Sequence, residues 1–439
     1  MGYYIFNRKY GNGIGSIALI AFWMTFEYVH LNWQLSWPWL TLGNVFASNP
    51  SWVMWYSFTG AAGGTLWILF VNLFINYLLL QYKNTSKGLT ELNRPITGLV
   101  LIVILPLIIS KFISYQKETT LSTSKQVIIV QPNIDPYEKF DPNAFNNHLD
   151  TLLGLSEKYI DSNTALILWP ETALSQAVPQ TDFMKSVYYY RVHAFLKKHP
   201  NLTLQTGIED YKVYNYKATE TANPMNDGMF YDAYNSGVAI KNGTEPCFYN
   251  KSKLVPGVET LPAFLRFMAP LFEKFGGTTG GYGMDGVSKV FDIKGTGIRT
   301  APIICYESVY GEFVSSYVNK GANLLTIMTN DGWWKNTPGH KQHLQYARLR
   351  AIENNCWVIR SANTGISAVI DNQGNILESK QWGVADAIKI NIPVRSFTQT
   401  FYTRHGDYLF FFASVLSYLL LLFHLINLAI AFLKRNQNK

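Results

Sequence analysis

The sequence predicts an α/β domain flanked by transmembrane helices. Long apolar stretches lie near both ends of the chain, whereas the middle alternates between β-branched apolar runs and helical patterns. Of the 439 residues, 48% are hydrophobic and only 15% are charged, against roughly 25% charged in ordinary soluble domains. This composition is expected of a chain that is partly embedded in lipid and partly folded in water.

Four segments have the length and composition of membrane spans. They are residues 15–30, 61–80, 96–109 and 408–433. About 20 apolar residues cross the hydrocarbon core of a bilayer, and the last segment contains no Asp, Glu, Lys or Arg. Glu27 and His30 lie near the outer end of the first span, where we expect solvation at the interface to accommodate them.

The charges beside these spans predict their orientation. Basic residues precede the first span, lie between the second and third, and follow the last: Arg8, Lys9, Lys83, Lys87, Arg94, Lys434 and Arg435. The positive-inside rule assigns all three groups to the cytoplasmic side. Residues 32–60 and about 119–406 are then expected on the opposite face.

The middle of the chain has the pattern of alternating strands and helices. Strands are predicted at residues 126–131, 165–169, 202–206, 237–240, 298–305, 323–329 and 356–360. Helices are predicted at 144–160 and 340–353, and a hairpin at 366–370 and 374–378. Sheets covered by helices are the natural architecture for such a pattern.

Charge and cysteine content exclude several classes of protein. The formal net charge of +8 suits contact with anionic lipid, and it is equally compatible with ordinary solubility. Because no long Lys/Arg run occurs, we expect no nucleic-acid partner. Cys247, Cys305 and Cys356 form neither a CxxC pair nor a Cys/His cluster with zinc spacing, which argues against a disulfide framework and a structural metal.

Three short segments carry residues suited to chemistry. Glu171 follows the apolar run of LWPET, Lys251 lies in YNKSKLVP, and Cys305 ends the apolar run of PIICYE. Each residue alone has an ordinary explanation, as a strand-end acid, a solvated strand edge or a buried thiol. In α/β sheets, however, ligands bind beyond the carboxyl ends of the strands.

Together the three residues suggest nucleophilic catalysis. A cysteine nucleophile needs a base to accept its proton and positive charge where the oxyanion develops. Glu171 can be the base and Lys251 the oxyanion donor. Because a neighbouring carboxylate raises the pKa of a thiol, we expect deprotonation to accompany attack rather than precede it.

The ordered set WPET, KxxLVP and ICYE resembles the Glu-Lys-Cys triad of the nitrilase (carbon–nitrogen hydrolase) superfamily. With membrane spans on both sides, the chain resembles the apolipoprotein N-acyltransferase branch. Further matching segments are WPWL at 37–40 followed by Gly43, NDGW at 330–333, the helix at 343–353, and NTGISAVID at 363–371.

The resemblance implies an α-β-β-α sandwich, with Cys305 as nucleophile, Glu171 as general base and Lys251 as oxyanion stabiliser. It also implies supporting roles for Glu259, Tyr306 and Glu307 in the pocket and for Trp39 in the outer loop. The expected organisation is N-terminal transmembrane helices at 1–117, a catalytic domain at 118–398, and a C-terminal transmembrane helix at 399–439.

The resemblance further implies a reaction in two steps. A phospholipid acyl chain would pass to the cysteine as a thioester, and then to the N-terminal amine of a diacylated apolipoprotein. No metal or cofactor is implied. We expect a monomer in the bacterial inner (cytoplasmic) membrane, crossing it several times, with its catalytic domain on the periplasmic face.

Two departures and two alternatives qualify this hypothesis. Family members usually have Phe-Gly-Glu after Leu-Val-Pro, where this chain has Gly257-Val258-Glu259, and they usually have more spans. We therefore expect that N-terminal helices are missing from this sequence. The alternatives are a membrane-anchored amidase that hydrolyses a small amide with the same residues, and a binding module without catalysis.

Overall fold

A computed structural model of the chain describes residues 2–84, 93–116, 123–268, 281–394 and 399–437. The chain divides into two compact units, one formed by Met1–Tyr115 with His405–Lys439 and the other by Gln116–Arg404. The boundaries predicted after residues 117 and 398 lie outside the described residues. We call the two units the membrane unit and the catalytic unit, after the roles that the sequence leads us to expect for them.

The membrane unit is helical. Its helices are α1 (Gly2–Tyr10), α2 (Asn12–Asn32), α3 (Tyr56–Asn84), α4 (Asn93–Gln116) and α10 (Tyr408–Gln437). Within the described residues, four helical segments are long and apolar enough to cross a membrane: Asn12–Asn32, Tyr56–Lys83, Asn93–Ser114 and Tyr408–Gln437. The four predicted spans are therefore confirmed, whereas α1 is an additional helix that the hydropathy pattern did not predict.

The segment between α2 and α3 is a chain of short 3-10 turns, Pro38–Leu40, Leu42–Ser48 and Pro50–Trp52. Glu27 on α2 fixes this segment, accepting hydrogen bonds from Leu42 N (3.0 Å) and Thr65 Oγ1 (2.7 Å). Trp23 Nε1 donates a third, at 3.0 Å. Our expectation of interfacial solvation for Glu27 is wrong, because the residue is only 3% exposed and protein donors replace water.

Gly43 brings the 3-10 segment into close contact with α3. Its N–H donates to Thr65 Oγ1 (3.0 Å), and its carbonyl accepts from Tyr56 Oη (2.7 Å). A methyl group at this position would come within 1.8 Å of the carbonyl oxygen of Ala61. The absence of a side chain therefore sets how closely the loop approaches the helix.

Two sheets form the centre of the catalytic unit. Their strands are β1 (Thr123–Gln131), β2 (Thr164–Leu168), β3 (Leu174–Pro179), β4 (Thr203–Tyr214), β5 (Asn223–Pro224), β6 (Phe230–Lys241), β7 (Cys247–Asn250), β8 (Phe291–Ile293), β9 (Ile298–Ile304), β10 (Leu324–Thr329), β11 (Trp357–Ala362), β12 (Ala368–Ile370), β13 (Ile376–Ser379) and β14 (Asp386–Val394). The first sheet has the order β14-β1-β2-β4-β6-β5, with β3 on β4 and β7 on β6; the second has the order β13-β12-β11-β10-β9-β8. Strands β1, β2 and β4 are parallel, as are β9, β10 and β11. The carboxyl ends of several strands consequently lie at the same edge of each sheet.

The helices are α5 (Phe145–Glu157), α6 (Val187–Lys198), α7 (Gly311–Asn319), α8 (Pro338–Asn354) and α9 (Phe401–His405), the last reaching the boundary with the membrane unit. The predicted strands, helices and hairpin are confirmed, with ends that differ by a few residues and with β4 and β6 longer than expected.

The buried side chains alternate between two cores, as the strand period requires. Val127 and Ile129 of β1 face the second sheet, whereas Ile128 and Val130 face α5 and α6. Helices α7 and α8 cover the outer side of the second sheet. The α-β-β-α sandwich expected from the sequence is therefore present.

We expect Gly43→Ala to lower the stability of the membrane unit by about 1–3 kcal/mol, because the added methyl overlaps backbone that cannot move independently. Thermal unfolding in detergent micelles measures the effect. The matched control is Gly13→Ala on α2, where no atom lies within 4 Å of the added methyl. Equal melting temperatures for both variants would contradict the close approach.

Candidate active site

Glu171 lies in the turn that follows β2. Its Oε1 accepts hydrogen bonds from Asn235 Nδ2 (2.8 Å) and Lys251 Nζ (3.1 Å), and its Oε2 accepts from Asn330 N (3.0 Å). The next residue, Thr172, has a φ of 44°, an uncommon conformation for a non-glycine residue. These contacts hold the carboxylate in one orientation at the carboxyl edge of the first sheet.

Lys251 follows β7, and its side chain is only 1% exposed. Its ammonium donates to Glu171 Oε1 (3.1 Å) and Glu259 Oε1 (2.8 Å). The second oxygen of Glu259 accepts from Val255 N at 2.8 Å. One buried cation therefore bridges two carboxylates, and among the described residues no third acceptor uses its remaining N–H.

Asn235 on β6 was missed by the sequence analysis. Its Nδ2 donates to both Glu171 Oε1 (2.8 Å) and Glu259 Oε1 (3.0 Å). Asparagine is disfavoured in strands, so its position within the buried pattern of β6 was the available signal. The amide of Asn235 therefore bridges the same two carboxylates that Lys251 bridges.

The charges in this cluster stabilise one another. Burial would raise the pKa of Glu171, but the charge of Lys251 and the hydrogen bond from Asn235 outweigh it, and the pKa is below its usual value. Burial would lower the pKa of Lys251, but Glu171 and Glu259 hold it well above the usual value. The cluster therefore contains an ionised carboxylate and an ionised ammonium.

Cys305 directly follows β9 and begins the 3-10 turn Cys305–Val309. Its φ of 47° is unfavourable for a non-glycine residue. Burial and the nearby charge of Glu171 raise the pKa of the thiol, and Lys251 opposes them only in part. The thiol is thus protonated at neutral pH and close enough to feel both charges.

A buried network holds the backbone of Cys305. Its carbonyl accepts hydrogen bonds from Ser308 Oγ (2.7 Å) and His343 Nε2 (3.2 Å). On the other side of the ring, His343 Nδ1 lies 3.1 Å from Asp331 Oδ1, and Asp331 Oδ2 accepts from Arg360 Nη2 at 2.7 Å. This network restrains the backbone of Cys305 in its unfavourable conformation.

Glu307 connects the Lys251 segment with the Cys305 segment. Its Oε1 accepts from Tyr249 Oη and from Ser252 N, both at 2.6 Å, and its Oε2 accepts from Ile304 N at 2.8 Å. Burial raises its pKa to about 7 despite these donors. Glu307 therefore ties the segment that carries Lys251 to the end of the strand that precedes Cys305.

The remaining predicted site residues lie in different places. Tyr306 is 4% exposed, and its ring meets that of Tyr310 edge to face, with centroids 5.3 Å apart. Trp39 is half-buried in the turn Pro38–Leu40 of the membrane unit. The structure therefore brings Glu171, Lys251, Cys305, Glu259 and Glu307 together in the catalytic unit.

Lys139 is a second buried cation that the sequence analysis did not select. Its Nζ donates to Glu171 O at 2.6 Å and to Thr172 Oγ1. Burial lowers its pKa to about 8, although Glu171, Glu209 and Cys305 all work in the opposite direction. The hydrogen bonds from Lys139 stabilise the turn that carries Glu171.

No group of three or more His, Cys, Asp or Glu residues within the described ranges could hold a metal ion. The arrangement of a carboxylate, an ammonium and a thiol can support attack by sulfur on an ester or amide carbonyl.

Family models match most of the chain. The carbon–nitrogen hydrolase model matches residues 127–400. The model of the apolipoprotein N-acyltransferase N-terminal domain matches residues 1–74.

Similar proteins include apolipoprotein N-acyltransferases of several bacteria. One from Chlorobaculum tepidum is 30% identical over 421 residues, covering 92% of this chain and 76% of that protein. One from Rickettsia typhi is 27% identical, covering 98% of this chain and 79% of that protein.

Solved structures that are similar to part of this chain include a carbon–nitrogen hydrolase superfamily protein from Xanthomonas campestris. It is 16% identical, with a TM-score of 0.43, covering 62% of this chain and 91% of that chain. An amidase from Nesterenkonia is 15% identical, with a TM-score of 0.42, covering 65% of this chain and 96% of that chain.

We expect Glu307→Gln to lower the free energy of unfolding by about 2–3 kcal/mol and catalytic turnover by at least about tenfold. Both oxygens of Glu307 accept hydrogen bonds, so the NH₂ group of a glutamine would replace one acceptor with a donor that faces other donors. Thermal unfolding and turnover of the purified chain measure the two effects. Glu312→Gln, at an exposed position in the first turn of α7, removes the same charge and serves as the control. Equal melting temperatures and equal turnover for the two variants would contradict the proposal that the hydrogen bonds of Glu307 hold the two segments together.

The raised pKa of Cys305 predicts how alkylation of the free enzyme depends on pH. Because the thiolate is the reactive form, the iodoacetamide reaction at Cys305 is expected to accelerate with every step in pH through 9. Peptide mapping by mass spectrometry measures the rate, with N-acetylcysteine in the same buffers as the reference. A plateau below pH 8 would show that a standing thiolate exists.

Proposed function

The chain belongs to the apolipoprotein N-acyltransferase family, within the carbon–nitrogen hydrolases, and from this premise we propose how it acylates lipoproteins. Cys305 takes a fatty acyl chain from a phospholipid as a thioester and passes it to the N-terminal amine of a diacylated apolipoprotein. Glu171 is the general base and Lys251 stabilises the oxyanion. The acyltransferase class follows from the family, whereas these details are our proposal.

The observation that carries the proposal is the buried Lys251 ammonium between Glu171 and Glu259, beside the strained Cys305. An ammonium that has an available N–H and is buried away from water stabilises an oxyanion far better than water does. A carboxylate whose pKa is low accepts the thiol proton only as carbon–sulfur bonding develops. Acid–base work and charge stabilisation are thus assigned to different side chains.

In the first step, Sγ of Cys305 attacks the ester carbonyl of the phospholipid while Glu171 accepts the thiol proton. The carbonyl oxygen becomes an oxyanion next to Lys251. When the intermediate collapses, the carbon–oxygen bond to the glycerol breaks and Glu171 returns the proton to the departing alkoxide. The products are a lysophospholipid and the thioester.

In the second step, the neutral amine of the diacylglyceryl-cysteine attacks the thioester carbonyl, and Glu171 accepts a proton from its nitrogen. The carbon–sulfur bond then breaks, and the proton passes from Glu171 to the Cys305 thiolate. The products are the amide and the free thiol. One base and one oxyanion site therefore serve both half-reactions.

Exposed apolar side chains on the segments that carry cluster residues support lipid substrates over a small amide. Phe267 is 80% exposed and follows the segment of Glu259, and Met284 is 63% exposed and follows Tyr282. Tyr137, two residues before Lys139, and Trp333, two residues after Asp331, are also exposed, and their rings meet edge to face with centroids 5.5 Å apart. An amidase for a small polar amide has no use for large exposed apolar side chains on these segments.

The basic residues flanking the spans support a location for this chemistry. They favour a bacterial inner-membrane protein whose catalytic unit faces the periplasm. There the unit would meet both phospholipid and lipoproteins that have crossed the membrane.

The test is intact-protein mass spectrometry after incubation with phosphatidylethanolamine, followed by addition of a diacylglyceryl-cysteine lipopeptide. We expect a fatty-acyl adduct that maps to Cys305, is absent from Cys305→Ala, and disappears as acylated lipopeptide forms. Folded protein that forms no adduct would overturn the proposed function.

A Lys251→Ala variant separates the oxyanion role from the nucleophile. Removing one oxyanion donor costs about 3–4 kcal/mol in other enzymes, or roughly 10²–10³ in rate, so the adduct should form at least that much more slowly. Near-normal acylation by Lys251→Ala would remove Lys251 from this role while leaving Cys305 as the nucleophile.

A further inference from the structure

Glu209 is a carboxylate on the catalytic face that the two steps above do not use. It lies on β4 directly opposite Asn235 in the antiparallel pairing with β6. Side chains of directly opposed residues lie on the same face of a sheet, with Cβ atoms about 4.5–5.5 Å apart. Glu209 therefore borders the amide that bridges Glu171 and Glu259.

The contacts of Glu209 leave one of its oxygens available. Tyr282 Oη donates to Oε1 at 2.9 Å, and the backbone N–H of Tyr282 donates to Glu259 O, also at 2.9 Å. Within the part of the chain that the structure describes, Oε2 accepts no hydrogen bond. Glu209 is thus held beside the cluster by one oxygen while the other can receive a donor.

The charges around the site are unequal. Glu171, Glu259 and Glu209 supply three carboxylates, whereas Lys251 and Lys139 supply two ammonium groups. Lys139 already donates to Glu171 O and Thr172 Oγ1, and it makes no ion pair within 4.0 Å with Glu209 in the described residues. A half-buried carboxylate that forms no ion pair within 4.0 Å among the described residues favours a cation from the substrate.

Burial raises the pKa of Glu209, while the hydrogen bond from Tyr282 and the charge of Lys139 act in the opposite direction. A bound cation would remove the cost of ionising this carboxylate and would be held by a charge-assisted hydrogen bond.

We propose that Glu209 binds the primary ammonium group of a substrate and positions that substrate beside Cys305. The inference rests on the proposed function, whose substrates offer this chemistry from two sources. One is the N-terminal amine of the acceptor, which binds as an ammonium near pH 7 because its ordinary pKa is about 7.7–8.0, and which releases one proton to water before the neutral amine attacks in the second step. The other is the head group of phosphatidylethanolamine. Phosphatidylglycerol, which has no ammonium, distinguishes a specific contact from general damage.

The experiment compares the wild-type chain with Glu209→Gln in each half-reaction. The first half-reaction measures Cys305 acylation against the concentration of phosphatidylethanolamine or phosphatidylglycerol with the same acyl chains. The second measures transfer from acylated enzyme against the concentration of the lipopeptide. Loss of one charged hydrogen bond should raise the half-saturating concentration of the ammonium-bearing substrate by about tenfold or more.

The pattern of effects identifies the source of the ammonium. A rise for phosphatidylethanolamine but not phosphatidylglycerol supports the head group, and a rise for the lipopeptide supports the acceptor amine. No rise for any substrate, or equal rises for the two phospholipids without one for the lipopeptide, overturns the inference. Wild-type protein that forms no adduct with either phospholipid sinks the proposed function instead.

Two further variants control for a general loss of negative charge and for a failure of Glu209→Gln to fold. Asp227→Asn removes one carboxylate from an exposed turn and should leave all three half-saturating concentrations unchanged. Glu209→Asp keeps the charge on a shorter side chain and should give an intermediate rise at an unchanged melting temperature. If Glu209→Gln does not fold, a folded Glu209→Asp with wild-type values for all three substrates overturns the inference.

Discussion

The Lys251 ammonium, buried between two carboxylates, is the interaction on which the catalytic unit depends. A buried charge is stable only when its partners are present and correctly placed. Glu171 and Glu259 lie 3.1 Å and 2.8 Å from Lys251 Nζ, and Asn235 donates to both. These groups come from separate segments of the first sheet and its loops, so the ion cluster can form only when that sheet has its native register. The ion cluster is therefore a result of folding, and in our proposal it is also the catalytic centre.

The second sheet contributes the thiol, and its position depends on Glu307. Because this carboxylate accepts donors from Tyr249, Ser252 and Ile304, it ties the segment that carries Lys251 to the end of β9. The sandwich core fixes the spacing of the sheets, but apolar contacts have no direction. The hydrogen bonds of Glu307 supply the direction that apolar packing lacks. Apolar packing thus sets the spacing of the two sheets, and a few buried hydrogen bonds set the relative orientation of the site residues.

The sequence was sufficient for the four membrane spans and for β2 and β9, which precede Glu171 and Cys305, but not for α1 or for β3, β5, β7, β8 and β14. Glu171 and Cys305 each follow an apolar run, and the parallel strands bring such ends to one edge. Asn235 and Glu209 could not be identified in the same way, because their importance comes from the register of β4 against β6, which no local pattern specifies. Glu27 was misinterpreted for the same reason, since its three donors include residues that are distant in the chain.

Strain and charge at the site have a common consequence for reactivity. Cys305 has a φ of 47° and a raised pKa, so the resting enzyme holds a protonated thiol in an unfavourable conformation. Such a thiol resists adventitious alkylation and oxidation, which require the thiolate. In the mechanism that we propose, it becomes a nucleophile only when an ester carbonyl is present to accept the electrons while Glu171 takes the proton. That mechanism couples reactivity to occupancy of the site by an acyl donor, with the buried Lys251 ammonium already in place when the oxyanion forms.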